Sequence, residues 1–291
     1  MVMFKGKFLE KYSQYTDIEK FKEYCLKPLR KSIRVNTLKI NVNDLKNKLK
    51  DYNLKQIPWC KEGFFIDGYA IGNLKEHLLG YFYVQEAASM IPALILEPKE
   101  ELVLDMCAAP GSKTTHLAAI MKNNGLIIAN DIEIKRLKAL SINLQRCGVL
   151  NTIITFMKGE HIKNKFDKIL LDAPCSGTGV IRKSLMTLKI WNEYMIKKLA
   201  NNQKRLIINA FNCLNENGTL VYSTCSIDKE ENEDVIEFLL KEFDNAKLEK
   251  IELNIKRSKV LSDNEELDKC LRIWPQDNDT EGFFVAKIKK I

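Results

Sequence analysis

From about residue 100 the chain alternates short, continuous apolar runs with amphipathic stretches of helical period, and no other feature narrows the possible folds as much. The runs are LVLDM (102–106), LIIAN (126–130), TIITFM (152–157), KILLD (168–172) and TLVYS (219–223). Continuous apolar runs of this length fit strands buried on both faces, whereas a half-exposed strand would alternate. Strands separated by helices form βαβ units, which dictate a parallel sheet with helices on both faces, an α/β architecture. Ligands of such sheets bind beyond the carboxyl ends of the strands, so the residues after each run are where chemistry is expected. The 291 residues, 45% apolar and 29% charged, suit a folded chain of this kind and exclude a disordered or collagen-like one.

Residues 1–80 read differently, as a small, basic α+β module ahead of a larger domain over 81–291. Aromatic residues at helical spacing from Phe8 to Tyr24 predict a helix, with Thr16-x-x-Glu19 as a capping box and Pro28 as its end. The alternating run SIRVNTLKI (32–40) predicts a strand, a polar helix opens at Asn43, and Gln56–Ile57 and Phe64–Ile66 predict a strand pair. Between Lys20 and Lys39 stand Lys22, Lys27, Arg30, Lys31 and Arg34, with Glu23 the one acid. Charge runs of this sort are usually solvated faces. The net charge of +8 nevertheless favours a polyanionic partner, and nucleic acid is the first suspect.

The eight cysteines, at 25, 60, 107, 147, 175, 213, 225 and 270, form no CxxC pair and no cluster with the three histidines. Neither a metal site nor a disulfide framework is signalled, and a reduced, cytoplasmic protein fits best. His77, His116 and His161 stand singly and read as structural or exposed. The N-terminal MVMFKGKFLEKYSQY has no uninterrupted apolar core of a signal peptide, and no stretch approaches the roughly eighteen apolar residues of a membrane span.

The first run opens into DMCAAPGSKTTHLA (105–118), a tight loop of small residues that leads into a helix. Small residues let the backbone approach a ligand, and a helix start offers free N–H groups to a polar or anionic tail. A phosphate loop would need glycines at 107 and 112, where Cys107 and Ser112 stand. The second run ends in Asn130-Asp131, twenty residues beyond Gly111, the spacing at which nucleoside-binding folds place a carboxylate for ribose hydroxyls. Asp131 could equally cap the following helix, and both roles can hold together. Arg136, one turn in, either steadies the ligand or faces water. The third run leads to Gly159-Glu160, where an acid could meet an adenine amino group.

The fourth run gives the densest signal, KILLDAPCSGTGVIRK (168–183): an acid at the strand end, Pro-Cys after it, and a glycine pair beyond. The fifth delivers a second thiol, Cys225, in GTLVYSTCSIDKEENEDVIEFLL (218–240), whose following helix carries acids in its first turn and an apolar face from Val235 to Phe243. Two thiols from adjacent strand ends would converge on one cleft. A nucleoside ligand, one acid and two thiols suit methylation at carbon 5 of a pyrimidine. A thiolate adding to carbon 6 turns carbon 5 into an enamine that attacks an electrophilic methyl group, with an acid at ring nitrogen 3 assisting. S-adenosylmethionine would supply the methyl, its ribose at Asp131 and its amino-acid end at the 107–113 loop. Loss of the carbon 5 proton and expulsion of the thiol then call for a second polarisable group or base. The residues alone do not choose which cysteine attacks.

In these segments the sequence closely resembles the RNA cytosine-5 methyltransferases of the Nop2/Sun family. DMCAAPGSKT, Asn130-Asp131, LLDAPCSGTGVIR and YSTCS match that family's strongest motifs in order. GYFYVQEAASMIPALIL (80–96), Arg34-Val35-Asn36 with Leu38-Lys39, and RIWPQDNDTEGFFVAKIKK (272–290) match as well. The resemblance runs from about residue 30 to the C-terminus and is nearest to small archaeal-type members that modify tRNA.

The resemblance implies a Rossmann-like class I methyltransferase sheet with an RNA-binding N-terminal module. It implies that Cys225 attacks, that Cys175 aids product release, and that Asp172 contacts both cytosine and cofactor. Lys113 would lie near the target base. The cofactor would be held by Cys107, Ala108, Ala109, Pro110, Gly111, Ser112 and Lys113 with Asp131, Arg136, Glu160 and Asp172. Two departures stand out: Ser112 replaces the usual second glycine, and Glu160 stands where Asp is common. With tRNA as the substrate, the 20–39 segment becomes a phosphate-contacting surface. The target base must be unstacked to reach the thiol. The alternatives are the same chemistry on ribosomal RNA, or a non-catalytic RNA-binding assembly factor, against which the joint presence of Asp172, Cys175 and Cys225 argues. DNA methylation is disfavoured by the TC cysteine and by the lack of a separate target-recognition region. An accessory protein is compatible with the family and is not named by the sequence.

Overall fold

A computed structural model describes residues 4–291. Its strands, in chain order, are β1 (Ser32–Val35), β2 (Lys55–Ile57), β3 (Cys60–Phe65), β4 (Phe82–Val84), β5 (Leu102–Asp105), β6 (Leu126–Asp131), β7 (Thr152–Phe156), β8 (Phe166–Asp172), β9 (Leu214–Thr224), β10 (Ala246–Glu249), β11 (Leu271–Ile273) and β12 (Phe283–Lys290). The five apolar runs become β5 to β9, each preceded or followed by a helix. They pair in parallel, in the order β9-β8-β5-β6-β7. Antiparallel β12 continues the sheet beyond β9, with β10 at the edge and β11 paired to β12. The strand order reverses between β5 and β8, which opens the crevice where ligands of such sheets lie.

Burial accounts for most of the pattern. Val103, Leu104, Ile127, Ile169, Leu170, Leu220 and Val221 are fully enclosed between helices on the two faces. The exception is TIITFM. As the edge strand, β7 leaves Ile153, Ile154, Phe156 and Met157 exposed, so its apolar character does not reflect burial on both faces. Gly179 shows where a close approach demands glycine. A methyl group there would stand 2.2 Å from the Gly282 carbonyl oxygen and 2.7 Å from that of Cys225.

The N-terminal sheet is antiparallel in the order β2-β3-β1-β4, over its own core of Ile33, Val35, Leu45, Phe64 and Phe82. The run 32–40 yields a shorter strand than its alternation predicts, because Asn36 turns the chain. Its side-chain amide donates to the carbonyls of Gly80 (2.8 Å) and Cys147 (2.7 Å), tying the module to the helix Ile134–Cys147. β4, which lies past residue 80 in the sequence, completes this sheet.

The aromatic stretch folds as two helices, Gly6–Ser13 and Ile18–Leu26, rather than one. The cap is Asp17, whose carboxylate accepts from the Lys20 N–H, while the Thr16 hydroxyl accepts from Gln276 instead. Phe8, Tyr12 and Phe21 pack with Trp191, Ile227 and Trp274 of the larger domain, not with the N-terminal sheet. Among the described residues no helix is long and apolar enough to cross a membrane.

Candidate active site

The ends of β5, β6, β8 and β9 and the turn after β7 surround one cavity of about 400 Å³. Cys107, Asp131, Arg136, Glu160, Asp172, Cys175 and Cys225, all singled out in the sequence, line it. The rest of the small-residue loop, Ala108 to Lys113, lies behind this lining. Ala108 and Ala109 are buried, and the Ala109 N–H donates to Asp131 Oδ2 at 3.2 Å. Gly111 has φ +103, a left-handed geometry, and a methyl there would meet Leu140 at 2.9 Å. Its neighbour Ser112 starts the helix Ser112–Ile120.

Asp131 serves two ends at once. Its Oδ1 accepts from the Glu133 N–H (3.0 Å), which fixes the turn ahead of the next helix without capping it, and its Oδ2 braces the loop after β5. Arg136 lies 3.5 Å from the same carboxylate and donates to the Ala109 carbonyl. Glu160 is held at the cavity mouth by Arg205, at 2.8 Å.

β8 and β9 are adjacent and parallel, with Asp172 opposite Ser223, so the loops that follow emerge side by side. The sulfurs of Cys175 and Cys225 are 3.3 Å apart. The hydrogen bond to Cys225 and then burial push the Cys175 thiol well above its ordinary range. Asp172 Oδ1 accepts from the Ser223 hydroxyl (2.7 Å), and its Oδ2 takes the Lys113 ammonium at 2.7 Å. Lys113 is only 8% exposed. Burial alone would lower its pKa, but the charge and hydrogen bond of Asp172 outweigh that, and the group is raised.

Comparison with known proteins identifies the family. A family model described as 16S rRNA methyltransferase RsmB/F matches residues 93–289, and one described as the N-terminal domain of 16S rRNA methyltransferase RsmF matches residues 4–87. The chain belongs to the RsmB/F family of C5 RNA methyltransferases. It is 47% identical to a tRNA (cytosine(49)-C(5))-methyltransferase of Pyrococcus abyssi, over 98% of this chain and 96% of that one. It is 44% identical to the ribosomal RNA small subunit methyltransferase F of Vibrio atlanticus, over 95% of this chain and 61% of that protein, so it spans about three fifths of such bacterial relatives. A crystal structure of a methyltransferase homolog from Pyrococcus horikoshii superimposes with a TM-score of 0.90 at 39% identity, covering 100% of this chain and 96% of that one. NSun6 from the same organism, crystallised with SFG, gives 0.90 at 27% identity over 99% and 98%. The Rossmann-like methyltransferase sheet is thus the fold of this RsmB/F member, and use of S-adenosylmethionine follows from it.

The donor set suits that molecule. The buried Asp131 carboxylate at the end of β6 faces the cavity, and Met106, Ile132, Pro174 and Leu206 give apolar walls beside it. Sequence reasoning missed those four, along with Asn202 and Arg205, because the latter lie on the helix Glu193–Asn212 and not in a strand-end loop. It also missed Ser223, although the spacing two residues before Cys225 places that side chain beside Asp172. A third acid, Asp105 at the end of β5, is 1% exposed, and burial raises its pKa to about 7.

The basic stretch 20–39 divides. Arg34 is not on the surface: it is 2% exposed, donates to the Thr115 hydroxyl at 2.9 Å and leaves its other nitrogens unpartnered among the described residues. Arg30 donates to the carbonyls of Asn278 and Asp279, Lys31 to Gly68, and Lys39 to Leu79 and Arg146. Lys22 and Lys27 pair with Glu19 and Glu23 on their own helix. His116 is buried with neither ring nitrogen hydrogen-bonded among the described residues, and His77 contacts the Gly72 carbonyl. Among the described residues no three His, Cys, Asp or Glu side chains stand where they could hold a metal ion.

Proposed function

We propose that this enzyme methylates carbon 5 of a cytosine in structured RNA, tRNA in particular, with Cys225 as the nucleophile and Cys175 as its partner in release. The observation that carries the reading is the convergence of both sulfurs, 3.3 Å apart, with the Asp172–Lys113 pair at one cavity. Cys225, as the thiolate, forms a bond to carbon 6 of the unstacked base. The electron density this drives onto ring nitrogen 3 meets the proton held between Lys113 Nζ and Asp172 Oδ2. S-adenosylmethionine, when bound, would offer an electrophilic methyl group to the enamine carbon 5, its sulfur leaving as a neutral thioether. Water then takes the carbon 5 proton, the electrons of that bond re-form the 5,6 double bond, and the Cys225 sulfur leaves with the electrons of the carbon–sulfur bond, while the proton on ring nitrogen 3 returns to the Lys113–Asp172 pair. The protonated Cys175 thiol, hydrogen-bonded to the departing sulfur, stabilises it as a thiolate.

Asp131 would accept the ribose hydroxyls of the methyl donor and the 107–113 loop would receive its amino-acid end, with Arg136 behind the carboxylate and Glu160 at the mouth. The N-terminal sheet would bind the RNA, and the reduced thiols suit a cytoplasmic setting. The tRNA assignment is supported by the Pyrococcus abyssi relative, 47% identical over 98% of this chain. Transfer of labelled methyl to unmodified tRNA, with bisulfite sequencing of the product, tests the reading. Labelled 5-methylcytosine in tRNA is expected. Label in ribosomal RNA alone would move the substrate to rRNA, and label in neither would refute the activity. In the same assay Cys175→Ala is expected to accumulate a denaturation-resistant protein–RNA adduct, visible as a gel shift; free protein alone would refute the release role.

A further inference from the structure

The N-terminal helix Gly6–Ser13 lies within the N-terminal family match, yet its buried face is aimed at the two cysteine loops. Tyr12 is fully buried, and its hydroxyl donates to Asp228 Oδ1 at 2.8 Å while accepting from the Trp191 indole N–H at 3.1 Å. Lys11 reaches the same Asp228 oxygen at 2.8 Å and Glu230 at 3.0 Å. Asp228 is itself 0% exposed, three residues beyond Cys225. Its other oxygen accepts from the hydroxyls of Thr178 (2.7 Å) and Ser226 (3.4 Å).

Thr178 belongs to the Cys175 loop and Ser226 to the Cys225 loop, so Asp228 joins the two. Further bonds complete the stitching: the Ile227 N–H to the Thr178 hydroxyl (3.1 Å), and the Gly179 N–H to the Cys225 carbonyl (2.9 Å). On the Cys175 side, Glu231 accepts from the Ser176 N–H (2.9 Å) and from Gln203 (3.0 Å). Each polar group in such a buried network restrains its neighbours.

We infer that Tyr12 and Lys11 are positioning residues for the two thiols: the N-terminal helix, through Asp228, sets the spacing and direction of Cys225 relative to Cys175. A buried carboxylate needs hydrogen-bond donors, and two of the four side chains that donate to Asp228 come from this helix. Without them Asp228 turns toward its remaining donors, and Thr178 and Ser226, which flank the thiols, move with it. Small displacements matter here, because the attacking sulfur must approach carbon 6 from above the plane of the ring.

The inference rests on Cys225 as the nucleophile, and the test separates the two claims. Tyr12→Phe keeps the ring packing and removes only the O–H donor; Lys11→Met removes the second donor from the helix surface. Each is expected to lower kcat by about 10-fold, with KM for tRNA and affinity for S-adenosylmethionine within two-fold of the parent. Turnover is compared well below the melting temperature, since Trp191 also loses its acceptor in Tyr12→Phe. The second readout is bridging of Cys175 and Cys225 by dibromobimane, which needs both sulfurs within reach of one reagent. Slower bridging is expected in both variants, at an unchanged rate of single-thiol alkylation. Unchanged kcat and unchanged bridging, with only a lower melting temperature, would make the helix a stabilising brace and overturn the inference. Retained turnover in Cys225→Ala would instead overturn the nucleophile assignment, and the bridging rate alone would then decide the role of Tyr12.

Discussion

The carboxyl edge of the parallel sheet and the segment 20–39 are both rich in reactive or charged side chains, and the structure treats them in opposite ways. At the sheet edge Asp131, Asp172, Cys175 and Cys225 are braced from behind and turn toward a shared cavity. In the 20–39 segment most cations bond to carbonyls, a hydroxyl and acids of the protein itself: Arg30 to the carbonyls of Asn278 and Asp279, Lys39 to those of Leu79 and Arg146, Arg34 to the Thr115 hydroxyl, and Lys22 and Lys27 to Glu19 and Glu23. The difference teaches that a cluster of functional side chains marks a site when its backbone leaves room for a ligand. A run of positive charge in sequence can instead be the means by which one domain is fastened to another.

The comparison can be broken most severely at the thiols. Cys225→Ala is expected to lower methyl transfer by at least about 10³-fold while calorimetric binding of S-adenosylmethionine persists; residual turnover within tenfold of the parent would remove the sheet edge as the catalytic centre. Asp131→Ala comes next. Loss of a carboxylate that accepts ribose hydroxyls is expected to weaken S-adenosylmethionine binding by about 10- to 100-fold, and an unchanged calorimetric Kd would show that Asp131 only braces the loop.

Asp105 sharpens the same edge through pH. Its folded pKa of about 7 lies above the unfolded value near 3.9, so its favourable contribution is complete below about pH 4 and is lost as pH rises through 7. The melting temperature of Asp105→Asn relative to the parent should therefore climb between pH 4 and 7.5, and a pH-independent difference in scanning calorimetry would refute the raised value. The smallest effect on function belongs to the basic segment. Arg30→Met is expected to lower the melting temperature by a few degrees and to change RNA affinity, at fixed salt, by less than about three-fold. A tenfold loss of affinity at unchanged stability would erase the contrast between the two regions.

Much of the candidate site at the sheet edge was legible because strand period and strand-end chemistry are local. The runs ending at Asp131 and Asp172 fold as strands, and the thiols of Cys175 and Cys225 meet because β8 and β9 are neighbours. What the sequence hid depends on pairing across long separations. Nothing near Tyr12 announces Asp228, and nothing near Arg34 announces that Thr115 will enclose it. The aromatic spacing from Phe8 to Tyr24 suggested one helix because both helices bury the same side against Trp191 and Trp274. The apolar TIITFM looked interior, since periodicity registers apolarity and cannot tell an edge strand from a central one. Ser223 was the one supporting residue within reach, because the parallel register that sets Asp172 opposite it follows once β8 and β9 are placed side by side.

The central claim is that Cys225, and not Cys175, forms the bond to the base. It is tested most directly by incubating the unmodified enzyme and S-adenosylmethionine with tRNA that carries 5-fluorocytosine, whose carbon 5 cannot release a proton, and mapping the trapped adduct by peptide mass spectrometry. The account predicts a nucleotide on the peptide containing Cys225 and a free Cys175. A nucleotide on Cys175, or methyl transfer with no covalent adduct on either thiol, would contradict it.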